Sequence, residues 1–528
     1  MKKMMKKLIA MAAALVMIVT LLPAVGANAE EQSNKSVIDF GKTGSLTIKK
    51  TTDSGAPLNG ATFTIYEIAS LDKNGYELLV KTGKYQDADD LLNLTSAEQE
   101  TAASAFAEAV VSSSVWKETK TTDIDYENDE MGVVTFDELA LGYYLVVEDD
   151  VTEGYITGNP FFVAIPSANN ASESKPSGSD DTSATEWVYD VVAMPKNSGE
   201  PPVDKTADNT EVTIGVGDEI PYTITTTIPK YGTEYKNKTF NVYDIMSEGL
   251  ALKRDEEGAI ISPTIVVEGD DDGLQSPADY SITYLNEDDP ENIGVGNGND
   301  KTFEIKFTDT YIEQYAGKNV TIEYTAVVTK DAVYEVGNKA NVEYNRKPGT
   351  TTDATPDEVI KHSFGIDLSK FIKGTETLLD GAEFTLTDEN GATIQFAYKE
   401  GENGTITSGN SDVKMEADGG KLVITGLKAG KYELTEVKSP EGYSLLTKPI
   451  EIEIIANTTT GELESAKVDG VDVVVTGIEN GIIPVSVYNN KGFTLPATGG
   501  MGTYLFTIGG IVIMAGAAFA LIAMKKRA

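Results

Sequence analysis

The residues with the clearest chemical potential in this chain are lysines, acids and asparagines that fall in step with apolar neighbours. Successive side chains of a β-strand point to opposite faces, so a polar residue sharing a phase with apolar ones is carried into the core. Leu46, Ile48 and Lys50 share such a phase, as do Ile366, Leu368 and Lys370, and Val203 with Lys205. Tyr144, Val146 and Glu148 line up in the same way, and so do Tyr432, Leu434 and Glu436. In the middle of the chain the matching acid is Asp244, within Asn241-Val242-Tyr243-Asp244-Ile245-Met246. Asparagines complete the pattern near the end of each segment. Asn197 closes the first, Asn338 is in phase with Ala340, Val342 and Tyr344, and Asn489 with Val485 and Val487.

An amine, a carboxyl and an amide in one apolar core are the ingredients of a spontaneous isopeptide bond. Desolvation lowers the lysine pKa and raises that of the acid, so a neutral amine can attack the amide while the protonated acid polarises its carbonyl. Ammonia leaves, and no cofactor is needed. Three bonds are expected: Lys50 to Asn197 promoted by Glu148, Lys205 to Asn338 promoted by Asp244, and Lys370 to Asn489 promoted by Glu436. Lys49 competes with Lys50, Asn341 and Asn345 with Asn338, and Asn490 with Asn489. The same residues also fit a plainer reading, as buried ion pairs or as lysines that extend their amines to solvent.

Such groups need rigid strands to hold them. Alternating Thr, Val, Ile and Tyr runs recur between Gly, Asn and Asp turns, as in Tyr222-Thr223-Ile224-Thr225 and Val320 to Val328. This pattern predicts an all-β chain of antiparallel, Ig-like sandwiches. The region from Glu30 to Thr498 is too long for one core, and breaks rich in Pro, Gly and Ser near Asn197 to Val203 and Lys347 to Pro356 divide it into three. The expected domains are 30–199, 200–355 and 356–494. A capping signal in Ser96-Ala97-Glu98-Gln99, followed by an Ala-rich stretch, predicts a helical insertion over Ser96 to Val111 in the first domain.

The first and third domains repeat one another. Pro57-Leu58-Asn59-Gly60-Ala61-Thr62-Phe63-Thr64 parallels Leu379-Asp380-Gly381-Ala382-Glu383-Phe384-Thr385. Gly142-Tyr143-Tyr144-Leu145-Val146-Val147-Glu148 parallels Gly430-Lys431-Tyr432-Glu433-Leu434-Thr435-Glu436, and each is followed by Glu-Gly-Tyr. Both are copies of one module.

Composition narrows the function. The chain has 528 residues, no cysteine, a single histidine and a formal charge of −40. Disulfides, thiol nucleophiles and His-rich metal sites are therefore excluded, and a Ser-His-Asp triad would have to use His362, which has no nucleophile motif around it. The acidic excess argues against nucleic-acid binding. Asp270-Asp271-Asp272-Gly273 lacks the spaced ligands of a calcium loop and reads as a solvated turn.

The ends carry targeting signals. A basic start, an apolar run from Leu8 to Val25 and Ala27-Asn28-Ala29 describe a cleavable secretory signal over residues 1–29. Near the other end, Leu495-Pro496-Ala497-Thr498-Gly499-Gly500 precedes an apolar stretch, Tyr504 to Met524, closed by Lys525-Lys526-Arg527. That stretch is long enough to cross a hydrocarbon core of about 30 Å, with the trailing cations on the cytoplasmic side. Residues 495–528 thus read as a sorting signal, a membrane span and a basic tail.

This tail resembles the LPxTG sorting signals read by sortases, which implies cleavage between Thr498 and Gly499 and transfer of the threonine acyl group to an amine. The repeated modules resemble the B-type domains of collagen-binding surface proteins, and their YxLxE element resembles the pilin E-box. Trp187-Val188-Tyr189-Asp190-Val191-Val192-Ala193-Met194-Pro195-Lys196 resembles the pilin motif WxxxVxVYPK, departing from it at Ala193 and Met194. Together these resemble the major shaft pilins of sortase-assembled Gram-positive pili. The resemblance implies that Lys196 accepts Thr498 of the next subunit. It also implies sortase, further copies of the chain and peptidoglycan as partners, with ancillary pilins or a host surface ligand as additional ones, and a place in the cell wall and pilus. The chain is then a structural subunit and not an enzyme. A monomeric wall-anchored adhesin for a host matrix protein is the alternative, and the pilin motif separates the two.

Overall fold

The computed structural model describes residues 37–92, 94–126, 128–168, 187–208, 211–332, 334–394, 415–473, 481–492 and 502–526. The expected secretory signal and the Leu495 to Gly500 motif lie outside the described residues. The chain folds into two compact units. One comprises Met1–Thr210, Glu219–Ala326 and Gly337–Ile360, the other Glu211–Asp218, Val327–Val336 and Lys361–Ala528. Regular structure in both is predominantly β, as the alternating pattern predicts.

In the first unit, the N-terminal sheets form around alternating segments. One sheet runs in the order Asp190–Ala193, Gly44–Lys49, Glu130–Leu139, Asp123–Asp125. The other runs Gly75–Leu78, Thr62–Asp72, Gly142–Asp150, Phe161–Ile165, with Lys117–Thr121 also on Thr62–Asp72. Leu46, Ile48, Phe63, Phe136, Tyr144 and Val146 fill the core between them.

The expected helix spans Ser96–Val110, but its cap is one residue earlier than the sequence signal suggested. Thr95 accepts a hydrogen bond from the Glu98 amide, and its own amide donates to Glu98 Oε2 at 2.9 Å, which forms a reciprocal capping box. This helix covers the outer face of the Gly142–Asp150 sheet, burying Ile68, Phe106, Tyr143, Leu145 and Phe162 in a second cluster. The strand is therefore apolar on both faces, which accounts for the unbroken run Tyr143-Tyr144-Leu145-Val146. Its repeat, Gly430–Lys438, has no such helix among the described residues and keeps a clean alternation of buried and more exposed residues.

The first unit holds two further large sheets. One runs Asp204–Ala207, Glu219–Thr227, Asn319–Val328, Leu250–Leu252, and the other Tyr280–Tyr284, Phe303–Phe307, Phe240–Met246, Glu335–Lys347, Thr350–Asp353. In the second unit, Lys421–Leu427, Phe364–Ile372 and Ile482–Asn489 form one sheet. Its partner contains Glu383–Asp388, Gly430–Lys438, Ile450–Ala456 and Leu463–Val468. Near the C-terminus a helix spans Gly502–Lys525, and its Leu505–Lys525 portion is apolar and long enough to cross a membrane.

One topological feature matters for the chemistry. In both repeated modules the first and last strands lie side by side and parallel, with Leu46 opposite Val191 in one and Leu368 opposite Val485 in the other. Parallel neighbours require a long crossover. Here most of a module intervenes between the two strands.

Candidate functional site

Each N-terminal lysine emerges where the strand pattern places it. Lys50 follows Gly44–Lys49, and Asn197 is the register partner of Thr52. Lys370 lies on Phe364–Ile372, and Asn489 is the register partner of Ile372. Lysine and asparagine are thus diagonal neighbours, offset by two residues on adjacent parallel strands, so both side chains face the same core. Lys50 and Lys370 are 0% exposed, and Asn197 and Asn489 are each 1% exposed.

The side chains meet closely. Lys50 Nζ donates to Asn197 Oδ1 and lies 3.3 Å from Glu148 Oε2, while Asn197 Nδ2 donates to Glu148 Oε1 at 2.9 Å. In the second unit Lys370 Nζ donates to Asn489 Oδ1 and lies 3.1 Å from Glu436 Oε1, to which Asn489 Nδ2 also donates at 2.7 Å. A backbone amide also fixes each acid: Gly158 donates to Glu148 Oε2 at 2.6 Å, and Leu446 to Glu436 Oε2 at 2.9 Å. Each carboxyl therefore touches both the amine and the amide nitrogen.

Other parts of the two sites repeat as well. A phenylalanine sits beneath each amine, Phe63 at 5.7 Å from Lys50 Nζ and Phe384 at 5.8 Å from Lys370 Nζ. Phe63 is the register partner of Glu148 and Phe384 of Glu436, with the strand register shifting just before each phenylalanine. A glycine with positive φ, Gly132 or Gly420, accepts the backbone N–H of each lysine. A Cβ on Gly132 would lie 2.6 Å from the Lys50 carbonyl oxygen, and one on Gly420 would lie 2.9 Å from the Leu379 nitrogen. Neither glycine was singled out from the sequence; Gly420 lies in the turn before Lys421–Leu427, and Gly132 lies within Glu130–Leu139.

The middle site is built differently. Asp244 pairs with Ala340, and Asn338 with Met246, so acid and amide are diagonal neighbours on one sheet. Lys205 comes from the other sheet, where it pairs with Ile224. Lys205 Nζ donates to Asp244 Oδ2, and both residues are buried. Asn338 Nδ2 reaches neither of them directly and donates instead to Tyr324 Oη at 2.9 Å. Tyr324 also accepts from Lys205 Nζ and donates to Asp244 Oδ2 at 2.7 Å. Sequence reasoning missed this tyrosine, and the only signal for it was its phase within Val320 to Val328.

Burial sets the protonation of these groups. Desolvation is the largest influence on Lys50, Lys205 and Lys370 and pushes each amine below the ordinary lysine range, despite the adjacent acids. It likewise raises Glu148 and Asp244 above the usual carboxyl range and Tyr324 well above that of a phenol. A neutral amine beside a protonated acid is the form these directions favour.

The rival residues are engaged elsewhere. Lys49 pairs with Glu130 at 2.6 Å, and Asn490 is exposed. Asn341 and Asn345 lie out of phase with Asn338, and Asn345 Oδ1 accepts from the Thr239 amide at 2.6 Å. His362 is buried beside Tyr334, their ring centroids 4.9 Å apart. Lys196 is exposed on the two-residue strand Lys196–Asn197, which pairs in parallel with Thr51–Thr52. Thr498 and Gly499 lie outside the described residues.

Comparison with known proteins places these features. The SpaA prealbumin-like fold domain matches residues 44–176 and 365–468, the two repeated modules, and the LPXTG cell wall anchor motif matches residues 488–528. The chain is 26% identical to fimbrial subunit type 1 of Actinomyces viscosus over 459 residues, which is 79% of each protein. Among solved structures, the T6 backbone pilin of serotype M6 Streptococcus pyogenes aligns with a TM-score of 0.53 and 18% identity over 86% of this chain and 100% of that one. The major pilin SpaD of Corynebacterium diphtheriae aligns with a TM-score of 0.50 and 22% identity over 87% of this chain and 99% of that one. The molecule is accordingly a cell-wall-anchored surface protein built from prealbumin-like modules. With relatives named fimbrial subunits, it is similar to the LPXTG-anchored pilins of Gram-positive bacteria.

Proposed function

We propose that the chain is the shaft subunit of a covalent pilus, joined by sortase from Thr498 of one copy to Lys196 of the next. Internally it is tied by Lys50–Asn197, Lys205–Asn338 and Lys370–Asn489 bonds, in three sandwiches with boundaries near residues 199 and 355. The observation that carries this reading is the recurrence of an amine, an acid and an amide in three separate cores. A lone buried lysine is most simply an ion-pair partner, but desolvation makes three such pairs costly as ions. As reacting groups they become cross-links. Each bond forms once, between Nζ and the asparagine Cγ, with release of ammonia, so the promoting acids do not turn over a substrate.

Lys196 meets the requirement for an acceptor amine, since it is exposed and follows Pro195, which cannot donate a ladder hydrogen bond. Replacing it tests the assembly step. Lys196→Ala should abolish high-mass ladders on denaturing gels of wall extracts while leaving monomer export intact. Ladders that persist in the variant would show that another amine accepts Thr498, and a parent chain that forms no ladders would favour the monomeric adhesin.

A further inference from the structure

The two repeated sites and the middle site solve one geometric problem in different ways. Glu148 and Glu436 each reach both the lysine amine and the asparagine nitrogen. Asp244 is one methylene shorter. It reaches Lys205, while the Asn338 nitrogen is held by Tyr324. The phenol oxygen contacts Lys205 Nζ, Asp244 Oδ2 and Asn338 Nδ2 at once, from a strand of the sheet opposite the acid and the amide. Asp244 Oδ1 and Asn338 Oδ1, both buried, have no hydrogen-bond partner among the described residues.

We propose that Tyr324 is a catalytic residue of the middle site, bridging the gap left by the shorter acid and relaying a proton from the attacking amine to the leaving amide nitrogen. This rests on the reading that Lys205 and Asn338 become joined. Bond formation requires Nζ to bond to Asn338 Cγ, the Cγ–Nδ2 bond to break, and one amine proton to reach Nδ2 so that ammonia departs. In the repeated modules the carboxyl of Glu148 or Glu436 touches both nitrogens and can carry that proton itself. In the middle site the group that touches both is the Tyr324 hydroxyl. Once its O–H turns from Asp244 toward Nδ2, it hands that proton to Nδ2 while taking one from Nζ, and ends as it began. Asp244, protonated, is left to polarise the amide carbonyl, whose oxygen otherwise lacks a donor. Burial keeps the phenol protonated over the whole physiological range, as a relay requires.

The experiment is a timed cross-link assay on the recombinant mature chain, read by mass spectrometry of digested protein. The parent should yield the Lys205–Asn338 peptide. Tyr324→Phe removes one oxygen and keeps the ring, so the Lys50–Asn197 and Lys370–Asn489 peptides should form as in the parent and report that the chain has folded. The Lys205–Asn338 peptide should form at least about tenfold more slowly, as expected when a positioned proton-transfer group is lost. Adding Asp244→Glu to Tyr324→Phe restores the reach of the acid and should recover part of the rate, an effect that a packing role for the phenol does not give. A Tyr324→Phe chain that cross-links as fast as the parent overturns the relay, as does a folded double variant with no recovery. A parent chain without the middle cross-link instead overturns the underlying reading of Lys205 and Asn338, an outcome separable from the other two.

Discussion

Lys196 and Asn197 are adjacent on one short strand and face opposite ways, Asn197 into the core against Lys50 and Glu148, Lys196 into solvent. Because successive strand side chains alternate, a residue that closes the internal site leaves its neighbour available to another molecule. In the proposed assembly, the internal tie and the intermolecular acceptor would be mechanically continuous, with one peptide bond between them.

This adjacency should be separable by mutation. Asn197→Ala is expected to show one ammonia loss fewer than the parent, each intact mass being compared with its own sequence mass, and to lower the melting temperature, yet still to form ladders. Lys196→Ala is expected to do the reverse. Loss of ladders in the Asn197 variant at full expression would show that the internal bond is needed to present Lys196.

Removal of a promoting acid should leave its pair unreacted. Glu436→Ala is expected to retain one ammonia and to leave Lys370 buried without its acid. The Lys370–Asn489 tie closes a separation of 119 residues, and a cross-link over such a loop is worth about 4–5 kcal/mol in chain-entropy terms. Thermal denaturation of the second unit should fall accordingly. A melting curve unchanged from the parent would argue that no bond forms there.

The paired glycines make a conformational prediction. Gly420 has φ of +77°, and a Cβ would crowd the Leu379 nitrogen and the Lys370 carbonyl. Gly420→Ala should destabilise by more than about 1 kcal/mol and delay ammonia loss at the third site, while Gly391→Ala, at a positive-φ position with open space, should leave the bond intact. Comparing ammonia release in the two variants checks this.

A pH effect should come from Glu234. Both carboxyl oxygens are buried without a hydrogen-bond partner among the described residues, and desolvation, with Glu100 nearby, raises its pKa to about 7. The native carboxyl therefore holds its proton over a range in which the unfolded one has lost it. Its contribution to stability is fully present below about pH 4.5 and is lost as pH rises to about 7. Glu234→Gln should match the parent at pH 4.5 and exceed it above pH 7 by on the order of 1–3 kcal/mol. Melting temperatures across pH 4–8 test the sign, and a gain confined to acid pH would reverse it.

What the sequence determined by itself was periodic. Side chains of a strand alternate strictly, so Lys50, Glu148, Lys370, Glu436 and Asn489 could be assigned to cores from neighbours two residues away, and the copied segments showed that one arrangement occurs twice. The targeting segments were equally legible, because apolar length and flanking charge are local properties. The tertiary structure decided whatever depends on which strands meet. Along Glu335–Lys347 the sequence offered Asn338, Asn341 and Asn345, and only the sheet assignment puts Asn338 on the face with Asp244 and draws Asn345 to the Thr239 amide. Tyr324 was indistinguishable from any other core aromatic until two sheets brought it against Lys205 and Asn338. The parallel pairing of first and last strands was likewise invisible, and so was the helix that makes Tyr143 and Leu145 buried. Register and sheet order arise from contacts between residues well separated along the chain, in places by more than a hundred positions, and a one-residue slip would turn each of these side chains to the other face.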